Sequence, residues 1–170
     1  FQTILISGPT DLKIDDDIKL IKVETAEQMF KETQKNLPAD VAIFTAAVAD
    51  FKVINKSKNK IKKKEELTIK LERNIDILSF VSNHNSMRPK LVIGFAAETN
   101  NLEENAINKL QDKNCDIIIA NDVSNQKIGF DSDFNEVQIF YKNKKKEKLF
   151  AKKKSAISDE IVSRINSQLH

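Results

Sequence analysis

The sequence has little of the residue types on which several common classes of protein depend. Among 170 residues it contains one cysteine, three glycines, three prolines and no tryptophan. A single cysteine excludes an internal disulfide framework and fits a reducing compartment. Because Cys115 precedes an apolar stretch, we expect a small core residue there rather than a nucleophile. His84 and His170 are too few and too far apart for a histidine-based metal site.

The scarcity of glycine excludes two common nucleotide-binding loops. Gly8, Gly94 and Gly129 are the three glycines, and their spacing supplies neither a G-x-G-x-x-G fingerprint nor a Walker A loop. A bound phosphate compound would therefore have to be held by backbone N–H groups at strand-to-helix turns and by lysine side chains.

Long hydrophobic runs are also missing. No apolar stretch approaches the roughly 20 residues needed to cross a bilayer, and Phe1–Ser7 lacks the charged start and cleavage site of a signal peptide. We therefore expect a cytoplasmic protein without membrane contact. The composition, 31% charged and 40% hydrophobic, predicts one globular domain with a sizeable core.

Arginine is scarce, whereas lysine is clustered. Seven lysines lie in Lys52–Lys64 and eight in Lys142–Lys154, against three arginines in the whole chain. Arginine supplies most bidentate contacts to bases and phosphates. Phe150 is the one aromatic residue inside the two lysine runs, too few to form a series of stacking platforms. This pattern favours solvated lysine faces and predicts no nucleic-acid partner. The alternative, a nucleic-acid binder, would require salt-dependent binding to DNA or RNA.

Three apolar stretches each end in small and polar residues, and the chain is organised around them. Val41–Phe51 reads as a short buried strand, VAIFT, followed by a turn rich in alanine that ends on Asp50. Leu91–Thr99 repeats this arrangement, and Asp116–Ala120 precedes Asn121 and Asp122. In open α/β sheets ligands bind outside the carboxyl ends of parallel strands. The three strand ends therefore predict one shared crevice.

The remaining segments alternate between helix and strand patterns. Capping residues and apolar spacing predict helices over Ala26–Leu37 after Thr25, Ile75–Asn83 after Asn74, Leu102–Lys113 after Asn101, and Ser155–Leu169. Further strands are predicted at Gln2–Ser7, Ile18–Val23 and the half-exposed Glu66–Glu72, with a hairpin of Glu136–Lys142 and Glu147–Ala151. The alternation predicts an α/β protein with a mostly parallel sheet and an antiparallel hairpin at one edge.

Seven short motifs occur together in a specific order and spacing. They are AAVADF at 46–51, KIKK at 60–63, N-x-D-I-L at 74–78, GFAAET at 94–99, K-x-x-x-K at 109–113, D-x-I-x-A-N at 116–121 and GFDSDFN at 129–135. Together they closely resemble the phosphopantothenate–cysteine ligase domain of the bacterial bifunctional coenzyme A biosynthesis flavoprotein. The resemblance covers nearly the whole chain.

The resemblance implies a fold and a reaction. The fold is a three-layer, Rossmann-like α/β domain with a mostly parallel sheet, an antiparallel edge hairpin and a strand segment used for dimerisation. The reaction joins 4′-phosphopantothenate to cysteine at the expense of CTP, with Mg²⁺ or another divalent cation. CTP activates the carboxylate as an acyl-cytidylate with release of pyrophosphate, and the cysteine amine then displaces CMP.

The resemblance also assigns residues to the nucleotide site. The matching positions are Phe44, Thr45, Ala46, Asp50, Lys60, Ile75, Asp76, Ile77, Leu78, Phe95, Lys109 and Lys113. Lys60 matches a lysine that contacts the triphosphate and is needed for activity, so it is also the predicted catalytic residue. The family usually has proline where this chain has Ile75. No metal ligand is assigned, and no flavin is expected in this segment.

The first residues of the chain depart from the family pattern. ISGPT at 6–10 matches the second strand of the family domain, and the first strand, with its Asn-His-Ser-Ser-Gly turn, has no counterpart. The flavin decarboxylase domain is expected to be fused upstream or separate. Residues 1–170 are thus predicted to form a single CTP-binding ligase domain without that first strand-turn-helix segment.

Two hypotheses about activity follow. The chain alone is expected to bind CTP but to make little product, and residues 52–72 are expected to form a lysine-rich flap and a dimerisation strand that supports a homodimer. The alternative is a non-catalytic nucleotide-binding or dimerisation module that needs the missing segment or a partner chain.

Overall fold

A computed structural model describes residues 2–55, 57, 59–60, 68–124 and 132–169 of the chain. The elements in these ranges are β1 (Ile4–Ser7), β2 (Lys19–Lys22), α1 (Ala26–Lys35), β3 (Val41–Phe44), β4 (Phe51–Val53), β5 (Leu71–Arg73), α2 (Ile77–Ser82), β6 (Leu91–Glu98), α3 (Leu102–Asp112), β7 (Ile117–Asp122), β8 (Phe134–Tyr141), β9 (Lys146–Lys153) and α4 (Lys154–Leu169). They divide into two compact units. The smaller unit comprises Phe1–Lys35 and Ala46–Ile77, and the larger comprises Asn36–Thr45 and Leu78–His170.

The larger unit is built on a five-stranded sheet in the order β3-β6-β7-β8-β9. The strands β3, β6 and β7 are parallel, and β8 and β9 form an antiparallel hairpin beside β7. The continuous apolar runs of β6 and β7 are typical of parallel strands covered on both faces. The predicted α/β fold, with a mostly parallel central sheet and an antiparallel edge hairpin, is confirmed.

The helix α4 covers one face of this sheet. Its residues Ile157, Ile161 and Ile165 are buried at four-residue spacing and join a cluster with Ile93 and Ile119 of the two central strands. This spacing places the three isoleucines on one side of the helix. The predicted amphipathic C-terminal helix is therefore confirmed.

The helix α3 covers the opposite face, which makes three layers. Ala106 and Leu110 of α3 pack with Val92 and Ile118 of the sheet. Cys115 is fully buried in the same cluster, as its position before an apolar strand predicted. Among the described residues, no helix is both long enough and apolar enough to span a bilayer.

The smaller unit contains two separate strand pairs. The strands β1 and β2 are parallel to each other, and β4 and β5 form an antiparallel pair. The helix α1 begins with a reciprocal cap, because Thr25 Oγ1 accepts from the Gln28 amide at 3.2 Å and Gln28 Oε1 accepts from the Glu24 and Thr25 amides. Thr25 was the predicted capping residue.

Two other predicted caps are wrong. Asn74 does not cap α2; its side chain donates to the Ala49 carbonyl at 2.7 Å, and α2 begins at Ile77. Asn101 precedes α3, but its backbone is left-handed, with φ 45°, and its side chain makes no capping hydrogen bond. Asparagine tolerates this backbone conformation better than most residues do. Asn101 therefore suits the start of the helix because of its backbone conformation and not because of a side-chain hydrogen bond.

Two predicted strands also differ from the structure. The strand β3 is not buried as predicted, since it has one neighbour among the described strands and Ile43 is 47% exposed. The lysine-rich loop was expected to begin at Lys52, but Lys52 and Val53 belong to β4. The paired part of the predicted strand Glu66–Glu72 is Leu71–Glu72, and Glu66 and Leu67 lie outside the described residues.

A cluster of charged groups ties the edge hairpin to α4. Glu147 accepts from Lys145 at 2.9 Å, from Arg164 Nε at 2.8 Å and from the Tyr141 hydroxyl at 3.0 Å. These bonds lower the pKa of Glu147 from 4.5 to about 2, and the bond from Lys145 has the largest effect. Burial, followed by the bond to Glu147, raises the pKa of Tyr141 to about 12. The carboxylate therefore stabilises the folded chain above its unfolded pKa.

We expect the stability contributed by Glu147 to be lost as the pH falls from about 4.5 to about 2. The Glu147→Gln variant should be less stable at pH 7 by about 2 kcal/mol, and the difference should vanish at low pH. Urea unfolding across this pH range measures it. Glu103→Gln removes an exposed pair with Lys146 and should change stability by less than about 1 kcal/mol. Parallel stability curves for the native chain and Glu147→Gln would contradict the assignment.

Gly94 allows close packing at the centre of β6. A Cβ atom at this position would lie 2.8 Å from Ile118 Cδ1 and 2.8 Å from Leu78 Cδ2. Both neighbours are side chains of the core on the α3 face, and Ile118 is fully buried. The absence of a side chain at Gly94 therefore lets the start of α2 pack directly on the sheet.

Gly94→Ala should therefore destabilise the fold by about 1–3 kcal/mol, since the added methyl forces buried side chains to move. Gly8→Ala is the matched control, because a Cβ there meets nothing within 4 Å. The control should be neutral or slightly stabilising, because alanine restricts the unfolded chain. Thermal or urea unfolding compares the two variants, and equal stabilities would show that the space at Gly94 is not needed.

Candidate functional site

The three parallel strands of the larger unit point their carboxyl ends toward the same edge of the sheet. Phe44 at the end of β3 pairs in register with Gly94, and Glu98 at the end of β6 pairs with Asp122 at the end of β7. Phe95 is half-buried, whereas Ala97 is exposed. The strand β3 therefore ends four residues before β6, beside the middle of that strand. Phe44 and Phe95 of the predicted nucleotide site lie on neighbouring strands, and the shared crevice stays a prediction.

Lys109 connects α3 to the second half of β6. Its ammonium group donates to the Phe95 carbonyl at 3.1 Å, and the side chain is half-buried. Most lysines on surface helices are exposed to solvent, whereas Lys109 is held against the strand. One of the three ammonium N–H bonds is used by Phe95, and a lysine held in this way presents a fixed positive charge.

Lys113 lies one turn further along and is also half-buried. Its backbone carbonyl accepts from the Ser82 hydroxyl in a short hydrogen bond. Leu78, another predicted site residue, packs against the core on the α3 face. Of the predicted residues in the larger unit, Phe44, Leu78, Phe95 and Lys109 are linked by contacts around β6.

A polar contact that the sequence did not reveal accompanies Lys109. The Asn105 amide donates to Glu98 Oε2 at 2.9 Å and to the Asn100 carbonyl at 3.1 Å. The sequence does show that these residues share a helix face, since Asn105, Lys109 and Lys113 recur every four residues along α3 and its C-cap. Spacing shows that residues share a face but does not show what that face meets.

The remaining predicted residues, apart from Thr45, belong to the smaller unit. Asn74 brings two motifs together, because its amide N–H donates to the Asp50 carbonyl at 2.8 Å and its side chain donates to the Ala49 carbonyl at 2.7 Å. Asp50 and Asp76 are therefore held on adjoining segments that flank the β4–β5 pair. Asn74 was expected to cap a helix and instead joins the AAVAD and NIDIL motifs.

The other predicted residues differ in their exposure to solvent. Lys60 is exposed, and Ile61–Lys63 of the KIKK motif lie outside the described residues. Ile75 is 55% exposed, whereas Ile77 is buried. Thr45 and Ala46 follow β3, and the Ala46 carbonyl accepts from the Val48 amide at 3.1 Å. These positions remain predicted nucleotide contacts.

The end of β7 carries a carboxylate and a shallow pocket. Asp122 accepts from the Ser124 hydroxyl at 2.6 Å and from the Ser124 amide at 2.8 Å, and these bonds lower the pKa of Asp122. The pocket, about 240 Å³, is lined by Leu102, Ala120, Asp122, Glu136, Val137, Gln138 and Lys148. Lys148 and Glu136 already pair with each other at 2.8 Å.

The β4–β5 pair exposes apolar side chains. Val53 pairs with Leu71 and Phe51 with Arg73, so these four side chains share one face. On it Phe51, Val53 and Leu71 are 52%, 37% and 55% exposed. Lys52 and Glu72 alternate to the other face and form an ion pair at 3.3 Å. We call Phe51, Val53 and Leu71 the apolar hairpin face.

Much of the C-terminal lysine cluster is paired with carboxylates. The pairs are Lys145 with Glu147, Lys146 with Glu103, Lys148 with Glu136, and Lys152 with Glu160. Apart from the pair with the partly buried Glu147, these exposed pairs contribute little stability, but all of them offset the positive charge of the cluster. The cluster is therefore less cationic than its lysine count indicates.

The whole chain matches a known family of domains. The family model described as the DNA/pantothenate metabolism flavoprotein C-terminal domain matches residues 1–169. The coenzyme A biosynthesis bifunctional protein CoaBC of Haemophilus influenzae is 39% identical over 163 residues, which are 95% of this chain and 40% of that protein. The chain thus spans less than half the length of this curated relative.

Solved structures share the fold. A crystal structure of the C-terminal domain of CoaBC superposes with a TM-score of 0.78 at 33% identity, covering 99% of this chain and 74% of that one. A Cab2 mutant in complex with phosphopantothenate-cysteine superposes with a TM-score of 0.63 at 16% identity, covering 91% of this chain and 55% of that one. The second likeness shows the fold alone.

Proposed function

Because the chain belongs to the family of DNA/pantothenate metabolism flavoprotein C-terminal domains, we propose that it carries out CTP-dependent ligation of 4′-phosphopantothenate with cysteine. Support comes from the CoaBC relative, whose name places it in coenzyme A biosynthesis, and from the related Cab2 structure with bound phosphopantothenate-cysteine. The single structural observation that carries the proposal is the Lys109 ammonium group fixed on the Phe95 carbonyl in the second half of β6.

The proposed reaction has two steps. An oxygen of the phosphopantothenate carboxylate attacks the α-phosphorus of CTP, the bond to the β-phosphate oxygen breaks, and pyrophosphate leaves. The cysteine amine then attacks the acyl carbon, CMP leaves, and the amine gives up a proton as the amide forms. Activation is needed because a carboxylate oxygen is a poor leaving group toward an amine.

Lysine side chains are proposed to stabilise the negative charge that moves during the first step. Negative charge on the triphosphate shifts to the departing pyrophosphate, and preorganised cations lower the energy of that charge more than solvent does. Lys109, half-buried and oriented by Phe95, is suited to this role. Lys60 is proposed as a further contact to the triphosphate, as its match to the KIKK motif implies, and Lys113, the C-cap of α3, as a second cation.

A divalent cation is proposed to enter with the nucleotide. The described residues contain no group of three or more His, Cys, Asp or Glu side chains placed to hold a metal ion. They therefore do not fit an all-protein metal cage. Mg²⁺ commonly binds through substrate phosphates with one or two carboxylates, which is the arrangement we propose here.

The second candidate is a non-catalytic module that binds the nucleotide and dimerises. The exposed apolar hairpin face favours it, because such a face is typical of an interaction surface. Both candidates predict CTP binding. The ligase predicts product at a low rate from the chain alone, and the non-catalytic module predicts none. Calorimetry with CTP and Mg²⁺, run beside assays of pyrophosphate release and phosphopantothenoylcysteine formation, separates them. Absence of CTP binding by the folded chain would contradict both.

Lys60→Ala should weaken CTP binding by roughly ten- to a hundredfold, the effect of removing a charge-assisted contact. Lys58→Ala is the matched control, since Lys58 stands outside the KIKK motif and outside the described residues. The control should bind CTP as the native chain does. Calorimetric titration measures both variants, and equal losses would show that the KIKK match is accidental.

We also propose that the chain forms a homodimer through the apolar hairpin face. Light scattering at micromolar protein should give twice the chain mass for the native protein. Leu71→Lys should shift the mass toward the monomer, because burying an unpaired charge in an apolar interface is costly. Phe150→Lys, at a 67% exposed phenylalanine on β9, is the matched control and should stay dimeric. A monomeric native chain would rule out this interface.

A further inference from the structure

The helix α3 is joined to the end of β6 by two polar contacts one turn apart. Asn105 donates to Glu98 Oε2 at 2.9 Å, and Lys109 donates to the Phe95 carbonyl at 3.1 Å. Asn105 also donates its second amide hydrogen to the Asn100 carbonyl at 3.1 Å. Both N–H bonds of the Asn105 amide are thus used, and each of its acceptors belongs to the strand end or the turn that follows it.

The backbone around this contact needs such support. The helix α3 begins after Asn101, which is left-handed and provides no side-chain cap. The first turn is therefore held by Asn105, whose side chain reaches back across the turn to Asn100 and Glu98. Buried Ala106, beside Asn105, leaves little freedom for the helix to rotate on the sheet.

We propose that Asn105 is a positioning residue for the nucleotide site, which acts by fixing the first turn of α3 on Glu98 so that Lys109 meets the phosphates of CTP. This inference rests on the proposed function. A lysine has four rotatable side-chain bonds, and its ammonium position depends on where the helix places its Cα. A displacement of the ammonium group by about 1 Å can remove a large share of its contribution to phosphate binding. Asn105 therefore influences phosphate binding without touching the nucleotide.

The first test is a double-mutant cycle on CTP affinity. Asn105→Ala should weaken CTP binding roughly three- to tenfold in the native chain and have little further effect in a Lys109→Ala background. Asn108→Ala is the matched control, an exposed asparagine on the same helix, and should leave affinity unchanged. Equal losses from Asn105→Ala in both backgrounds would overturn the proposal, because they would show an effect on the fold that bypasses Lys109.

The second test exchanges donor and acceptor. Asn105→Asp alone places a carboxylate against Glu98 and should weaken CTP binding more than Asn105→Ala does, since like charges repel. Adding Glu98→Gln returns a donor opposite an acceptor and should recover most of the lost affinity. Failure of the double variant to recover affinity, with its thermal stability unchanged, would contradict the role of this pair.

A readout without nucleotide separates this inference from the proposed function. In the ligand-free chain the hydrogen-bonded Lys109 ammonium should give a slowly exchanging NMR signal that Lys109→Arg identifies by its loss. Asn105→Ala should speed that exchange, and Asn108→Ala should not. If the native chain fails to bind CTP, the proposed function is wrong, and this signal still decides the inference. An unchanged Lys109 signal in Asn105→Ala would overturn it.

Discussion

The constraint on which the larger unit depends is the burial of β6 and β7 on both faces. Val92, Ile93, Ile118 and Ile119 are at most 1% exposed, and adjacent residues of each strand point to opposite helices. A fully buried side chain of this size contributes about 1.5–3 kcal/mol relative to exposure. Covering both faces therefore requires a helix on each side, and α3 and α4 meet that need.

The candidate site follows from this packing. The buried stripe of α3, Ala106 and Leu110, faces the sheet, so the neighbouring residues Lys109 and Lys113 lie at the boundary between core and surface. Lys109 can then reach the Phe95 carbonyl. A positive charge stands beside the second half of β6 because the apolar face of the helix is buried. In α/β sheets, ligands bind outside the carboxyl ends of such strands.

The polar contacts around this core have distinct roles. At the opposite end of β6, Asp116 accepts from Arg88 at 3.0 Å and from the Val92 amide at 2.7 Å, and this fixes the starts of the two central strands. In the smaller unit, Asn74 uses its side chain to join two motifs that are 25 residues apart. Such contacts set the positions of segments whose apolar residues alone would pack in several ways.

The sequence by itself determined the alternation of apolar strands and helices, the edge hairpin, the buried stripe of α4 and the family, since these depend on periodicity and motif order. Only the tertiary structure decided which side chains form hydrogen bonds with each other. Asn74 looked like a helix cap and is a cross-segment donor, and Lys109 looked solvent-exposed and is held by Phe95. Asparagine and lysine side chains can bond locally or at a distance, and local sequence does not choose between the two. That choice requires the partner, which only the folded chain supplies.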